Sequence, residues 1–439
     1  MKDWSEFIVD LLLLIPKFLI SPALYVFALL LLWAYRKQIM QERKLFHARI
    51  TSGAGELVRA LLFGAAAGLG ASILLLALGV APSYHDVLLI WGLSVLLALL
   101  HIRFLSFAYS GGLLIVLAAV ARLIPEGGLG EGGQTVLVWL QAVNIPAVLA
   151  LIAVLHIAEG LLIRLVPGQG LSPVLVKSER GRIVGGYEIQ KYWLIPVGLF
   201  IAGDAAGTEG YLSSTSGFWP LFYAGTAALS LLPVPSVMGY ADLAVSSTPQ
   251  EKAQRSGKVM VWLGVLLLLL AYLGTLWLPL AVLGGALSLL GHEGLRMYGE
   301  WQRRVQAPLY VQLKRGVRVL AVVPGSPADE MEIVTGDVIM RVNGNEINAK
   351  EEIYLALQQQ SAFCKMEVMN KEGHIKYVQR SVYQGDHHQL GLIVAPDASA
   401  NEYVEQGYRR LFGLFRKIRT TRNAGTNNMT LEQGKDVSL

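Results

Sequence analysis

The run Gly316-Val317-Arg318-Val319-Leu320-Ala321-Val322-Val323 is rich in β-branched and apolar residues and ends abruptly in Pro324-Gly325-Ser326-Pro327-Ala328. Such a run bounded by Pro and Gly predicts a strand closed by a turn. Ala328 to Ile333 then predicts a short helix. Thr335-Gly336-Asp337 turns into a second strand, Val338-Ile339-Met340-Arg341-Val342, and Asn343-Gly344-Asn345 has the chemistry of a tight hairpin. Ile353 and Leu357 sit four apart, the spacing of one helix face, so Lys350 to Gln359 is predicted helical. Strands follow at Met366–Met369 and Ile375–Val378 around Glu372-Gly373, and at Leu390–Val394.

The three turn motifs, in this order and spacing, resemble a PDZ domain. Gln389-Leu390-Gly391-Leu392 resembles that family's carboxylate-binding loop, placed near the end of the domain as in the permuted bacterial form. The resemblance implies a small α+β domain over 317–397. Its peptide groove would lie between the last strand (Leu390, Gly391, Leu392, Ile393, Val394) and the helix carrying Ile353 and Leu357. An edge strand offers unpaired N–H and C=O groups to which a partner segment adds a strand, and Gly391 permits close backbone approach. The alternative reading of Leu390, Leu392 and Val394 is an alternating core strand that binds nothing.

Outward from this domain the composition changes. The chain has 439 residues, of which 54% are hydrophobic and only 16% charged, against about a quarter charged in soluble domains. Residues 1–291 carry 18 Lys/Arg and 15 Asp/Glu, whereas the last 148 residues carry 19 and 17. The first two thirds therefore suit lipid and the last third water. Apolar runs long enough to cross a bilayer are Phe18–Tyr35, Ala60–Val80, Tyr84–Ile102, Phe104–Ala121, Trp139–Ile163, Phe218–Val237 and Val259–Trp277. Trp193–Gly203 and Leu280–Gly291 are shorter and suit tilted or re-entrant pieces. The sum is an α-helical polytopic membrane domain of about nine spans over 1–291, a linker over 292–316, the PDZ domain, and a basic tail over 398–439.

Basic residues near span ends stay on the cytoplasmic side. Arg36 to Arg59 holds six of them and Arg164 to Lys191 five. Lys252, Arg255 and Lys258 form a third basic loop, and Arg103 marks a tight turn. These loops are separated by even numbers of crossings, which places the N-terminus outside and the PDZ domain in the cytoplasm. One long tilted helix over Val259–Gly291 would reverse the latter. The acidic, uncleaved N-terminus reads as an anchor, with an interfacial helix over Trp4–Ile15. Tyr408–Arg419 mixes basic and large apolar residues, suited to a helix on an anionic leaflet or to a disordered tail.

The net charge of +5 is too small and dispersed to imply nucleic acid, and the single Cys364 excludes an intrachain disulfide or a Cys-based zinc site. An intramembrane metalloprotease, a membrane class whose PDZ domains this one resembles, needs two His four apart on one helix with a Glu between. The only His-Glu pair is His292-Glu293, and four positions after His292 stands Arg296. His156 and Glu159 are three apart on a predicted span. A site dispersed over these two, His292 and Glu293 is not the expectation: Glu159 reads as a residue near the cytoplasmic end of its span, and Asp204 as the end of a short one. Ser110-Gly111-Gly112 and Ser216-Gly217 read as helix packing, and His387-His388 as a solvated loop. No catalytic residue, cofactor or metal is expected.

Ala362-Phe363-Cys364-Lys365-Met366-Glu367-Val368 and Gly385-Asp386-His387-His388-Gln389-Leu390-Gly391-Leu392, with the layout of spans followed by one PDZ domain, resemble the MinJ family of cell-division topological determinants. The resemblance implies a non-enzymatic septal and polar membrane scaffold of the Min system, linking a DivIVA-like protein to a MinD-like one. It leaves room for other division membrane proteins, membrane lipid and a second copy of the chain as partners. Two other readings stay open: an active or dead relative of site-2-type intramembrane proteases, and a transporter-like subunit with a regulatory PDZ domain.

Overall fold

The structure is a computed structural model. It describes residues 13–404 and 418–420, apart from 15, 101–103, 105, 126, 128–129, 167, 169, 179, 203–219, 223–228, 360–362, 382–389, 398–399 and 401. Two compact units emerge, one of residues 1–44, 48–172 and 187–307, the other of 45–47, 173–186 and 308–439. The predictions at 4–12, Asp204, Ser216-Gly217, 387–389 and 408–417 lie outside the described residues.

The first unit is built on helices α1 (Pro22–Phe46), α2 (Gly53–Leu78), α3 (Tyr84–Leu100), α4 (Phe107–Ala121), α5 (Glu131–Ala142), α6 (Ile145–Leu165), α7 (Pro249–Leu276) and α8 (Leu278–Val305). Five of these, α1, α2, α6, α7 and α8, are long and apolar enough to cross a membrane, and α3 and α4 are shorter apolar helices. The single span expected over Trp139–Ile163 is instead two helices. Asn144 accepts the N–H of Ala147 and caps a fresh start with Pro146 in its first turn. In α6, 83% of an 18-residue apolar window is buried, and the helix is hydrophobic nearly all round, the mark of a central helix. Glycines let its neighbours approach: a Cβ on Gly160 would stand 2.8 Å from the Gly257 carbonyl, and one on Gly264 2.9 Å from that of Ala153.

The alternative of one long helix over Val259–Gly291 is overturned. Trp277 is extended (φ −143°, ψ 100°) between α7 and α8, and Pro279 follows. Beyond this break α8 folds back along α7, with Gly274 against Ala281 and Gly291 against Leu263. α8 continues through His292 to Val305, so the first half of the expected linker is helical.

The larger correction concerns Trp193–Gly203 and Phe218–Val237, read above as membrane segments. Residues 193–202 and 229–237 of them belong to two long strands, β2 (Ile183–Ala202) and β3 (Leu229–Ala244), paired antiparallel from Tyr187↔Ala244 to Ala202↔Leu229, while 220–222 are not strand. Pro196, Pro233 and Pro235 would each break a helix. In the hairpin Pro196 faces Pro235, and both carbonyls point away from the partner strand. That of Pro235 accepts the Trp91 indole N–H at 3.0 Å, and that of Pro196 would lie 2.3 Å from a Cβ on Gly68. An N–H at such a position would also point outward, so proline removes nothing from the ladder. The outward edge of β2 is covered by the small-residue stripe Gly64, Gly68, Ser72 of α2, with Gly64 against the Leu194 carbonyl. Apolar surroundings require such cover, because no water is there to satisfy an open strand edge.

The second unit holds β1 (Leu171–Lys177) from Pro173 onward and the start of β2, then β4 (Val317–Val322), α9 (Pro327–Glu330), β5 (Val338–Val342), β6 (Asn345–Glu346), α10 (Lys350–Gln359), β7 (Phe363–Met369), β8 (Ile375–Ser381), β9 (Leu392–Val394), β10 (Glu402–Val404) and β11 (Ile418–Thr420). One sheet runs β8-β7-β5-β4-β9, with β6 on β5. β10 joins β1 in parallel and β11 antiparallel, so the region expected as a tail contributes two strands. Asn343 (φ 50°) and Gly344 (φ 86°) form the tight turn that Asn-Gly predicts. The core of the domain gathers Val319, Ile339, Val342, Ile353, Leu357, Cys364, Met366 and Val368, all under 5% exposed.

Candidate functional site

β9 stands at the end of its sheet, paired on one side with β4 through Val319↔Val394, Ala321↔Ile393 and Val322↔Leu392. Leu390 enters it buried, and Leu392, Ile393 and Val394 are half-buried. Leu392 and Val394 pack against the core that contains Ile353 and Leu357. The outer face of α10 presents Glu351, Tyr354, Leu355 and Gln358. Ile353 and Leu357 thus serve the core, at 3% and 4% exposure.

Gly391 has φ +74°, and a Cβ there would stand 2.2 Å from the Ser326 side chain. Both requirements select glycine, one through backbone conformation and one through space. The loop is held from the Pro-Gly-Ser-Pro turn: Val323 donates its N–H to the Gly391 carbonyl at 2.8 Å and Ala328 to that of Leu390 at 3.0 Å. Val323, Ser326 and Ala328 are therefore positioning residues that strand patterning did not single out. Their signal was Val323 and the Pro-Gly-Ser-Pro-Ala run after it, read as a turn and a family motif but not as the support of Gly391.

The rest of the domain fixes this edge. Asp337, fully buried, accepts the Val334 N–H at 3.1 Å and pairs with Lys376 at 2.7 Å. Asn343 donates to the Ala356 carbonyl at 3.2 Å and accepts the Lys365 N–H at 2.8 Å, joining the β5-β6 turn to α10 and β7. Burial pushes the Cys364 thiol up to about 11, which keeps it a neutral core group.

A PDZ domain family model matches residues 318–365. Over 407 residues the chain is 29% identical to the cell division topological determinant MinJ of Bacillus subtilis (strain 168), covering 91% of this chain and 98% of that protein. Probable cell division topological determinants MinJ of Lacticaseibacillus paracasei and Lacticaseibacillus casei (strain BD-II) are each 27% identical over 237 residues, which is 52% of this chain and 60% of theirs.

Proposed function

We propose that this MinJ-like chain is a membrane scaffold of division-site selection. The observation that carries the reading is the extent of the likeness, 91% of this chain and 98% of the Bacillus subtilis determinant, which takes in both the apolar helices and the PDZ domain. The family resemblance extends it: the scaffold joins a DivIVA-like polar and septal protein to a MinD-like one, with the edge of β9 and the basic loops as docking surfaces. It acts by holding partners together and carries out no chemistry on them.

The side of the membrane follows from charge and parity. Taking the β2–β3 hairpin out of the span count removes two crossings and leaves seven apolar helices among the described residues. An odd count keeps the PDZ domain on the side of the basic stretches that link α1 to α2 and follow α6, the cytoplasm by the distribution of Lys and Arg.

The test is the position of a fluorescent fusion in cells with and without the DivIVA-like protein. A septal and polar signal that disperses without it is the expected result. A uniform membrane signal in both strains removes the division assignment and favours the protease-relative or transporter-like readings.

A further inference from the structure

α6 and α8 bring together three side chains that are 136 residues apart in sequence at the extreme. His156, Glu159 and His292 are 0%, 0% and 8% exposed. The ring centroids of His156 and His292 are 5.1 Å apart, and His292 Nε2 is 3.6 Å from Glu159 Oε2. His156 Nε2, His292 Nε2 and both Glu159 oxygens are buried without a hydrogen-bond partner among the described residues. Four buried polar atoms without a hydrogen bond on two facing helices are costly in an apolar interior.

The chemistry of the atoms says which partner. His156 Nδ1 lies 2.8 Å from the Ile152 carbonyl, which can only accept, so Nδ1 carries the hydrogen and Nε2 a free lone pair. A histidine held in this tautomer by a carbonyl is the usual metal-binding arrangement. The 3.6 Å between His292 Nε2 and Glu159 Oε2 is long for a hydrogen bond. It is close to the roughly 3.4 Å edge of a tetrahedron whose metal–ligand bonds are about 2.0–2.1 Å. Two imidazole nitrogens and a carboxylate form a ligand set suited to zinc, and no thiolate is required.

We propose that His156, Glu159 and His292 bind one divalent metal ion of the zinc class between α6 and α8. Among the described residues no three such donors already converge on one point, so binding draws the side chains of His156 and Glu159 toward His292. A cavity of about 40 Å³, bordered by Tyr109, Tyr240, Asp242, Met260 and Arg296, reaches His292. It borders His292 and neither His156 nor Glu159, so an ion would approach from the α8 side. The Tyr109 ring, 5.1 Å from that of His292, orients the imidazole. The ion clamps α8 to the central helix and neutralises the carboxylate.

The test uses the full-length, untagged chain in detergent, stripped with a chelator and titrated with zinc. One equivalent per chain is expected by mass spectrometric metal analysis. His156→Ala, His292→Ala and Glu159→Gln should each weaken binding by roughly tenfold or more. Should these variants fail to stay folded, zinc-edge X-ray absorption of the unaltered protein counts ligands directly, with two imidazoles expected. Substoichiometric zinc in the unaltered chain, undiminished zinc in a folded His156→Ala/His292→Ala double variant, or a sulfur ligand in the absorption spectrum overturns the proposal.

Discussion

Ser72 Oγ accepts the backbone N–H of Gly198 at 2.8 Å while donating to the Gly68 carbonyl at 2.6 Å. One hydroxyl of α2 thus supplies β2 with the acceptor that a neighbouring strand would otherwise provide. Ser72→Ala leaves the Gly198 N–H buried and unpaired, a loss of about 1–3 kcal/mol. Gly68→Leu should cost more, because even its Cβ would meet the Pro196 carbonyl at 2.3 Å. Thermal unfolding of the detergent-solubilised chain checks both; equal stability of Gly68→Leu and the unaltered protein would remove α2 as the cover of the hairpin.

Lys191, fully buried, donates from Nζ to the carbonyls of Ile163 at 3.1 Å and Val166 at 2.5 Å. It therefore serves as a tertiary cap on the C-terminal end of α6, where orphan carbonyls and the helix dipole favour a cation. Lys191→Met keeps the stem but removes these charge-assisted bonds. Relief of the ammonium's desolvation offsets part of the loss, so about 2 kcal/mol of net destabilisation is expected. Chemical unfolding of the two proteins, compared by midpoint, decides it.

Gly391→Val meets both the positive φ and the Ser326 side chain, and so should disrupt the loop that opens β9. The expected phenotype is loss of partner recruitment with the same amount of protein in the membrane fraction. Recruitment that survives this change would take the β9 edge out of the proposed mechanism.

Cys364 is the sole cysteine, fully buried, with its thiol raised from 9.0 to about 11. Because the folded state resists ionisation, its contribution to stability is complete below pH 9.0 and is lost as pH rises through about 11. The expectation is a fall in the unfolding temperature across that window which Cys364→Ser, lacking the ionisation, does not share. Maleimide labelling near neutral pH should likewise be slow until denaturant is added; rapid labelling of the native chain would contradict the burial.

The PDZ domain was legible from its turns, because Pro324-Gly325-Ser326-Pro327, Gly336-Asp337 and Asn343-Gly344 each impose backbone conformations that few other residues allow. The hairpin was not legible from hydropathy. A window of apolar residues reads the same for a membrane helix and a buried strand, as Trp193–Ala202 and Leu229–Val237 illustrate. The discriminating signal was Pro196, Pro233 and Pro235 among β-branched and aromatic neighbours, together with a run too short to cross as a helix. The family resemblance, not periodicity, set Ile353 and Leu357 beside the expected groove, and both side chains are buried in the domain core: helical spacing reveals a shared face, not what that face meets. His156 and Glu159 could be paired by helical spacing, whereas the approach of His292 depends on the turn at Trp277 that folds α8 back.

The glycine stripe of α2 also has a consequence for biosynthesis. Ser72 of α2, Trp91 of α3 and Ser106, the N-cap of α4, which contact the hairpin, all precede β2 in the chain. A ribosome delivers them to the membrane before either strand emerges. The order of synthesis thus lets the hairpin meet helices already made, so that its polar edges need not wait unpaired for later segments. A circular permutant that places β2 and β3 ahead of α2 reverses that order and should insert less efficiently than the unaltered chain.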